Sequence, residues 1–378
     1  LVPGTDGPDS FIIDQVSGPF YALKIVKDYR SPENAVIGGT FPNHNFDFEI
    51  IKGSQFSDII TFGYDNGLRN GSIDSGNASN QAAARQAITV YGNGGDDVLY
   101  GTSTGGRFFG GEGDDILGTY NPYWDNNYYK GEANKTYKES VITYLNGDAG
   151  NDRFVAGKAR EHFDGGSGID TLTYEAQTPS LVNGRNSAQN PEGITVNLFT
   201  GQGDNYYSRG DQITNIENVI GSLFNDTITG DANANELVGW GGNDELIGGG
   251  GNDSLYGNEG DDTLVGGSGD DVLHGGSGTD SFDGGEGIDT VSWAQYQEHP
   301  QDENLLVNDN AGVAVNLNIG LAGSETLISV ENLTGGIGDD IFLGNSISNI
   351  LIGNGGNDEL IGGGGNDVLL GGAGNDML

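Results

Sequence analysis

The stretch GGGGNDSLYGNEGDDTLVGGSGDDVLHGG, residues 248–276, carries three aspartates nine residues apart and one leucine per nine. Working outward, the nonapeptide runs unbroken from Gly221 to Ser292 in eight units, beginning at Gly221, Gly230, Gly239, Gly248, Gly257, Gly266, Gly275 and Gly284. A fixed period decides an architecture before any other signal does. The sixth residues are Asp226, Asn235, Asp244, Asp253, Asp262, Asp271, Asp280 and Asp289. The eighth are Ile228, Leu237, Leu246, Leu255, Leu264, Leu273, Phe282 and Val291. A second array from Gly335 sets Asp340, Asn349, Asp358, Asp367 and Asp376 at its sixth positions. Isolated earlier units, GNGGDDVLY, GGEGDDILG, GDAGNDRFV and GGSGIDTLT, do the same with Asp97, Asp115, Asp152 and Asp170.

At these residues the chain resembles the RTX, or haemolysin-type calcium-binding, family of secreted proteins of Gram-negative bacteria, whose unit is G-G-x-G-x-D-x-U-x. The resemblance implies an all-β fold, a parallel β-roll in several arrays interrupted by β-rich inserts. It also implies multiple calcium ions held between successive turns and bridged by the sixth-position aspartates. Each nonapeptide reads as a six-residue turn followed by a three-residue strand, with glycines at positions one, two and four permitting positive φ. Two units make one coil, so equivalent residues of every second unit stack. One edge then carries Asp226, Asp244, Asp262 and Asp280; the other carries Asn235, Asp253, Asp271 and Asp289. Bare carboxylates about 5 Å apart repel, whereas calcium takes six to eight oxygens from carboxylates and carbonyls together. One aliphatic side chain per nine residues cannot offset the entropy of ordering nine residues, glycine above all. Ion binding is therefore expected to supply the folding energy, and the roll to be largely disordered without calcium. Asn235 and Asn349, which lack the charge, read as capping turns with weak or absent sites.

Composition agrees. Acidic residues outnumber basic ones 55 to 15, a net charge of −40, which repels nucleic acid and anionic lipid and gathers cations. There is no cysteine, so an exported form needs another staple. No apolar run is long enough to suggest a transmembrane helix.

A larger duplication surrounds the arrays. GIDTLTYEA near Asp170 matches GIDTVSWAQ near Asp289, GITVNLFTG from Gly193 matches GVAVNLNIG from Gly312, and NIENVIGS from Asn215 matches SVENLTGG from Ser329. Then GGNDELIGGGGND occurs twice, from Gly241 and from Gly355. The expected organisation starts with a divergent β-rich region at 1–91, where short apolar runs such as YALKIV from Tyr21 read as strands. An irregular roll at 92–173 with an aromatic insert at 119–144 follows, and then a β insert at 174–220. The eight-unit roll at 221–292, a second insert at 293–334 and a roll at 335–378 complete it. Both β inserts are expected to pack on the roll and cap it. FEIIKGSQFSDIIT from Phe48 echoes IENVIGSLFNDTIT from Ile216, which adds Asp58 to the candidate metal ligands.

No catalytic constellation emerges. The zinc-protease pattern H-E-x-x-H is absent, with His44, His162, His274 and His299 scattered. GTSTG around Ser103 lacks the helix and partners of a nucleophile elbow. Arg209–Gly210–Asp211 matches an integrin-binding tripeptide, but chance accounts for it. The aromatic insert gathers Tyr120, Tyr123, Trp124, Tyr128, Tyr129 and Tyr137, which either pack on the roll or contact a glycan or protein. Two readings stay open. One is a non-enzymatic extracellular structural or adhesive protein of a bacterial surface or matrix, such as an S-layer component or adhesin. It would be exported by a type I system, fold on calcium outside, and associate head-to-tail. The other is the calcium-folding secretion module of a larger protease, lipase or polysaccharide epimerase.

Overall fold

The computed structural model describes residues 88–100, 106–119, 142–157, 160–174, 193–204, 208, 210–294 and 312–378, together with the backbone of five earlier strands. Asp58, Ser103 and the aromatic insert from Tyr120 to Tyr137 lie outside the described residues. Among the described residues every regular element is a β-strand, and no helix is long and apolar enough to cross a membrane. The chain forms two compact units, Leu1–Ser187 with Gln202–Ile216, and Ala188–Gly201 with Glu217–Leu378.

In the second unit successive nonapeptides alternate between two parallel sheets. Sheet A stacks Asn218–Ile220, Glu236–Gly241, Ser254–Glu259, Val272–Ser277 and Thr290–Ser292 in order. Sheet B stacks Thr227–Thr229, Glu245–Gly250, Thr263–Ser268 and Ser281–Glu286. The register advances by two nonapeptides throughout, as in Leu246 beside Leu264 and Leu264 beside Phe282. Every eighth-position side chain from Ile228 to Val291 points between the sheets and is buried. That single column is the core, an all-β parallel roll.

The strands are longer than the nonapeptide suggests. Thr263–Ser268 spans six residues and leaves three for the turn. The glycine-rich half of each unit stacks on the same half one coil away, so its backbone joins the ladder, Gly249 beside Gly267 and Gly250 beside Ser268. Gly267 and Gly269 hold φ of 115° and 128° there, with carbonyls of Gly249 and Gly251 where a Cβ would stand.

The described strands of the second insert lie within the sheets of the roll, three in sheet B and Asn332–Thr334 in sheet A. Glu325–Ile328 pairs in parallel with Ser281–Glu286, Leu321–Ala322 runs antiparallel beside it, and Ala314–Asn316 runs antiparallel beside that. Ala314–Asn316 then pairs in parallel with Ile341–Leu343, and Glu359–Ile361 follows. Sheet A passes directly from Thr290–Ser292 through Asn332–Thr334 to Ile350–Gly355 and Val368–Ala373. Alternating Val313, Val315 and Leu317 can serve as a strand of the roll because its inward residue, Val315, replaces the usual eighth position. Trp293 is buried beside this stretch of the roll, its ring 6.2 Å from both Phe282 and Phe342.

The first unit has the same two-sheet plan. Its sheet A runs Ile59–Phe62, Val98–Tyr100, Ile116–Gly118, Arg153–Val155 and Thr171–Thr173. An antiparallel meander of Asp9–Val16, Phe20–Lys27 and Asn34–Ile37 joins at Ile59–Phe62. Sheet B runs Ile50–Lys52, Ile88–Gly94, Gly106–Glu112, Ile142–Ala149, Arg160–Ser167 and Gln212–Thr214. YALKIV falls in the strand Phe20–Lys27, and Ile59, the residue after Asp58, stands opposite Val98.

Candidate metal centre

The strands carry each sixth-position residue to the turn just before it, where equivalents stack along one edge. Each aspartate reaches back one coil. Asp244 Oδ1 accepts the Asp226 amide at 2.7 Å, Asp262 Oδ1 that of Asp244 at 2.8 Å, and Asp280 Oδ1 that of Asp262 at 2.9 Å. On the opposite edge Asp253, Asp271 and Asp289 take the amides of Asn235, Asp253 and Asp271 at 2.8, 2.8 and 2.9 Å. The first unit repeats this with Asp115, Asp152 and Asp170 accepting from Asp97, Asp115 and Asp152. After the second insert Asp358, Asp367 and Asp376 accept from Asp340, Asn349 and Asp358. Asp367 and Asp376 are only half-buried.

The second carboxylate oxygen is the informative one. Oδ2 of Asp115, Asp152, Asp244, Asp253, Asp262, Asp271, Asp289 and Asp358 is buried with no hydrogen-bond donor. Such an atom loses its water without compensation. Beside it lies the first glycine of the unit. A Cβ on Gly257 would press on Asp262 Oδ2 and stand 2.6 Å from the Gly275 carbonyl oxygen; Gly248 and Gly266 have the same neighbours in their own coils. Anionic and carbonyl oxygens therefore converge on a cradle without a proton donor, which fits a hard cation with oxygen ligands. Among the described residues no three acidic or histidine side chains converge on one point. Backbone carbonyls must supply the remaining oxygens, as calcium accepts.

The electrostatics agree. Burial pushes the Asp244 carboxyl up to about 9, the neighbouring Asp226 and Asp262 charges add to that, and the hydrogen bond from the Asp226 amide opposes it. Burial likewise lifts Asp115, Asp152, Asp253 and Asp262 to about 7 and Asp280 and Asp289 to about 6. A negative charge is unfavourable at these positions until a cation answers it. Asp226 and Asp340, which open their arrays, differ. Asp226 accepts from Ser222 N, Ser222 Oγ and Ile194 N, and Asp340 accepts from Val313 N and Gly336 N.

Strand register also places residues at sixth positions that the glycine-based reading overlooks. Glu161, Asp211, Glu217, Glu325 and Glu331 each stand two residues before a buried apolar side chain: Phe163, Ile213, Val219, Leu327 and Leu333. That acid-x-apolar spacing is the available signal; the missing glycines hide it. Glu331 Oε2 takes the Asp289 amide at 2.9 Å, as an aspartate would. Glu161 and Asp211 form a closed cluster: Glu161 accepts from Thr119 Oγ1 and Gly157 N, Asp211 from Glu161 N and Tyr174 Oη. Burial raises both carboxyls, Glu161 to about 7. Asp211, the last residue of the Arg-Gly-Asp tripeptide, is fully buried.

Fifth positions matter too. Asn225, Asn243 and Asp261 accept the fifth-position amides one coil forward, at 3.0, 3.1 and 2.9 Å. In the Asn-Asp or Asp-Asp pair of each turn, the fifth residue thus holds the next coil and the sixth holds the previous one.

The family model described as the RTX calcium-binding nonapeptide repeat (four copies) matches residues 89–103, 143–172, 220–255, 256–291 and 343–378. These stretches are RTX repeats, which bind multiple calcium ions and are typical of extracellular proteins exported by type I systems. No curated protein matches the chain.

Proposed function

We propose that this protein is an extracellular structural or adhesive component of a bacterial surface or matrix, folded by calcium after export. Its ions are held at the edges of the rolls by Asp97, Asp115, Asp152, Asp170, Asp226, Asp244, Asp253, Asp262, Asp271, Asp280, Asp289, Asp340, Asp358, Asp367 and Asp376. Bound calcium neutralises the buried carboxylates and ties adjacent coils; the chain's own amides orient Oδ1 and leave Oδ2 for the ion, except at Asp226 and Asp340, where Ser222 N and Gly336 N already donate to Oδ2.

The ladder is the observation that carries this reading. The side chains that define the nonapeptide join coil to coil, and the described insert strands lengthen the sheet. The outer face of sheet A at the end of the second unit supports self-association. Where the central strands present Glu236, Ser254, Val272 and Thr290, the last two present Ile350 and Val368 side by side, with Ile352 beside Leu370. Ile350, Val368 and Leu370 are exposed, as expected of a contact surface. Light scattering of the calcium-loaded protein against concentration tests this. Association that disappears in a Val368→Lys, Leu370→Lys variant is expected; a monomer at high concentration would remove the assembly role. Turnover of a polysaccharide, ester or casein substrate would move the reading to a module of an exoenzyme.

A further inference from the structure

Two turns break the ladder chemistry, and they break it identically. At Asn235 the backbone amide still donates to Asp253 Oδ1 at 2.8 Å, so the rung to the next coil is intact. The side chain behaves differently from an aspartate. Asn235 Oδ1 accepts the Asp231 amide of its own turn at 2.8 Å, and Nδ2 donates 2.8 Å to the backbone carbonyl of Glu217, one coil earlier. In the second array Asn349 Oδ1 accepts the Asn345 amide at 2.9 Å and Nδ2 donates 2.6 Å to the Glu331 carbonyl, again one coil earlier. The partners fix the amide orientation, since a flip would set oxygen against oxygen and N–H against NH2.

A neighbouring substitution makes room for this bond. In ordinary coils the sixth-position carbonyl accepts the seventh-position amide of the next coil, as Asp244 O does from Thr263 at 2.8 Å. Here the side chains of Asn218 and Asn332 take that amide instead, from Glu236 at 3.1 Å and Ile350 at 2.8 Å. The carbonyls of Glu217 and Glu331 then receive the asparagine Nδ2. Glu-Asn, answered by an Asn two nonapeptides after the Glu, is thus a two-coil motif, present once in each module. Asn235 and Asn349 are both buried; the NH2 stands where an aspartate's backward-reaching Oδ1 would, and the uncharged oxygen left beside the first-glycine cradle already holds the Asp231 or Asn345 amide.

We infer that the Asn235 and Asn349 turns are ion-free clamps, the side-chain amide standing in for calcium and tying the first coils of each roll together before the ion arrives. This rests on the reading that the aspartate turns hold calcium. Without charge to neutralise, the clamp has nothing to gain from calcium and needs none to form. Each roll then starts from a preset coil and can add further coils from it as ions bind, as expected where each coil contacts only its neighbours.

Hydrogen exchange on the full chain, in calcium and after chelation, tests the clamp without any substitution. In chelator the amides of Asp231, Asn235, Asn345 and Asn349 should exchange about five- to tenfold more slowly than those of Asp253 and Asp262, the size of one net hydrogen bond. Asn235→Asp should abolish that difference in its own turn, leave the Asn349 turn unchanged and not lower the number of ions bound. Equal exchange of asparagine and aspartate turns in chelator would overturn the clamp while leaving the calcium reading intact. Full protection of every turn in chelator would overturn the calcium reading, and the clamp with it.

Discussion

The two units share a period but not a source of cohesion. In the second, sixth-position carboxylates line both edges, Asp226–Asp280 on one and Asp253–Asp289 on the other. In the first, among the described residues, only the sheet A edge carries the ladder, from Asp97 to Asp170. The sheet B edge has Gly106 and Thr143 in register where ligands would stand, and gains acids only at Glu161 and Asp211. Rings appear in compensation. Phe108, Phe154, Phe163 and Tyr174 are buried, Tyr91 stacks on Phe109 with centroids 4.8 Å apart, and Tyr144 meets His162 edge-on at 4.6 Å. Aromatic side chains bury far more apolar surface than leucine or valine. Where a coil lacks the carboxylate ladder on one edge, rings add apolar burial; where it has the ladder on both, a single eighth-position side chain, aliphatic except at Phe282, lines the core in each nonapeptide.

The largest effect expected from a single substitution is on the aromatic side of this contrast. Phe163→Ala should cost about 3–5 kcal/mol and destabilise the first unit at any calcium concentration, read by denaturant melts at saturating calcium. Asp262→Ala should cost about 1.5–3 kcal/mol for the lost charged hydrogen bond to the Asp244 amide and remove calcium in addition. Ion counting and a higher calcium midpoint would show it. Thr143→Ala, at the matching position of the ion-poor edge, should change neither; an equal loss of calcium there would erase the distinction between the units.

Acid should act in opposite directions with and without the ion. Carboxyls near 3.9 in the unfolded chain rise to about 9 at Asp244 and about 6–7 at Asp253, Asp262 and Asp280 in the metal-free fold. The folded state therefore binds more protons. Metal-free stability is greatest near and below pH 4 and falls as pH rises from there through about 6 to 9. Circular dichroism in chelator should show more β-structure at pH 5 than at pH 8, while protons competing for the same oxygens weaken calcium binding at pH 5. More metal-free structure at pH 8 would contradict the burial of these groups. A small change is expected from Tyr174→Phe, about 1 kcal/mol for the hydroxyl donated to Asp211, seen in the melt of the first unit and insensitive to calcium.

Much of this is legible in the letters. Strict spacing of Asp253, Asp262 and Asp271 with Leu255, Leu264 and Leu273 yields the two-sheet coil, because only one periodicity buries every leucine. Two features are not. The inserts' valine alternation reads as a strand packed on the roll, and the pairing of Ala314–Asn316 with Ile341–Leu343 places it within the sheet instead. The sixth-position role of Glu161, Glu217 and Glu331 is hidden because recognition leans on glycine, whereas the position depends on its distance from the next buried apolar residue. Asn235 and Asn349 read as weak sites from their missing charge; their bonds to Glu217 and Glu331 reach across a full coil, which local sequence does not connect.

The most direct test of ions as the cohesive element is hydrogen exchange at the amides of Asp244, Asp253, Asp262 and Asp271, measured in saturating calcium and after exhaustive chelation. Strong protection in calcium that collapses in chelator is the expected result. Protection that survives complete removal of the ion would show that the coils hold together without it.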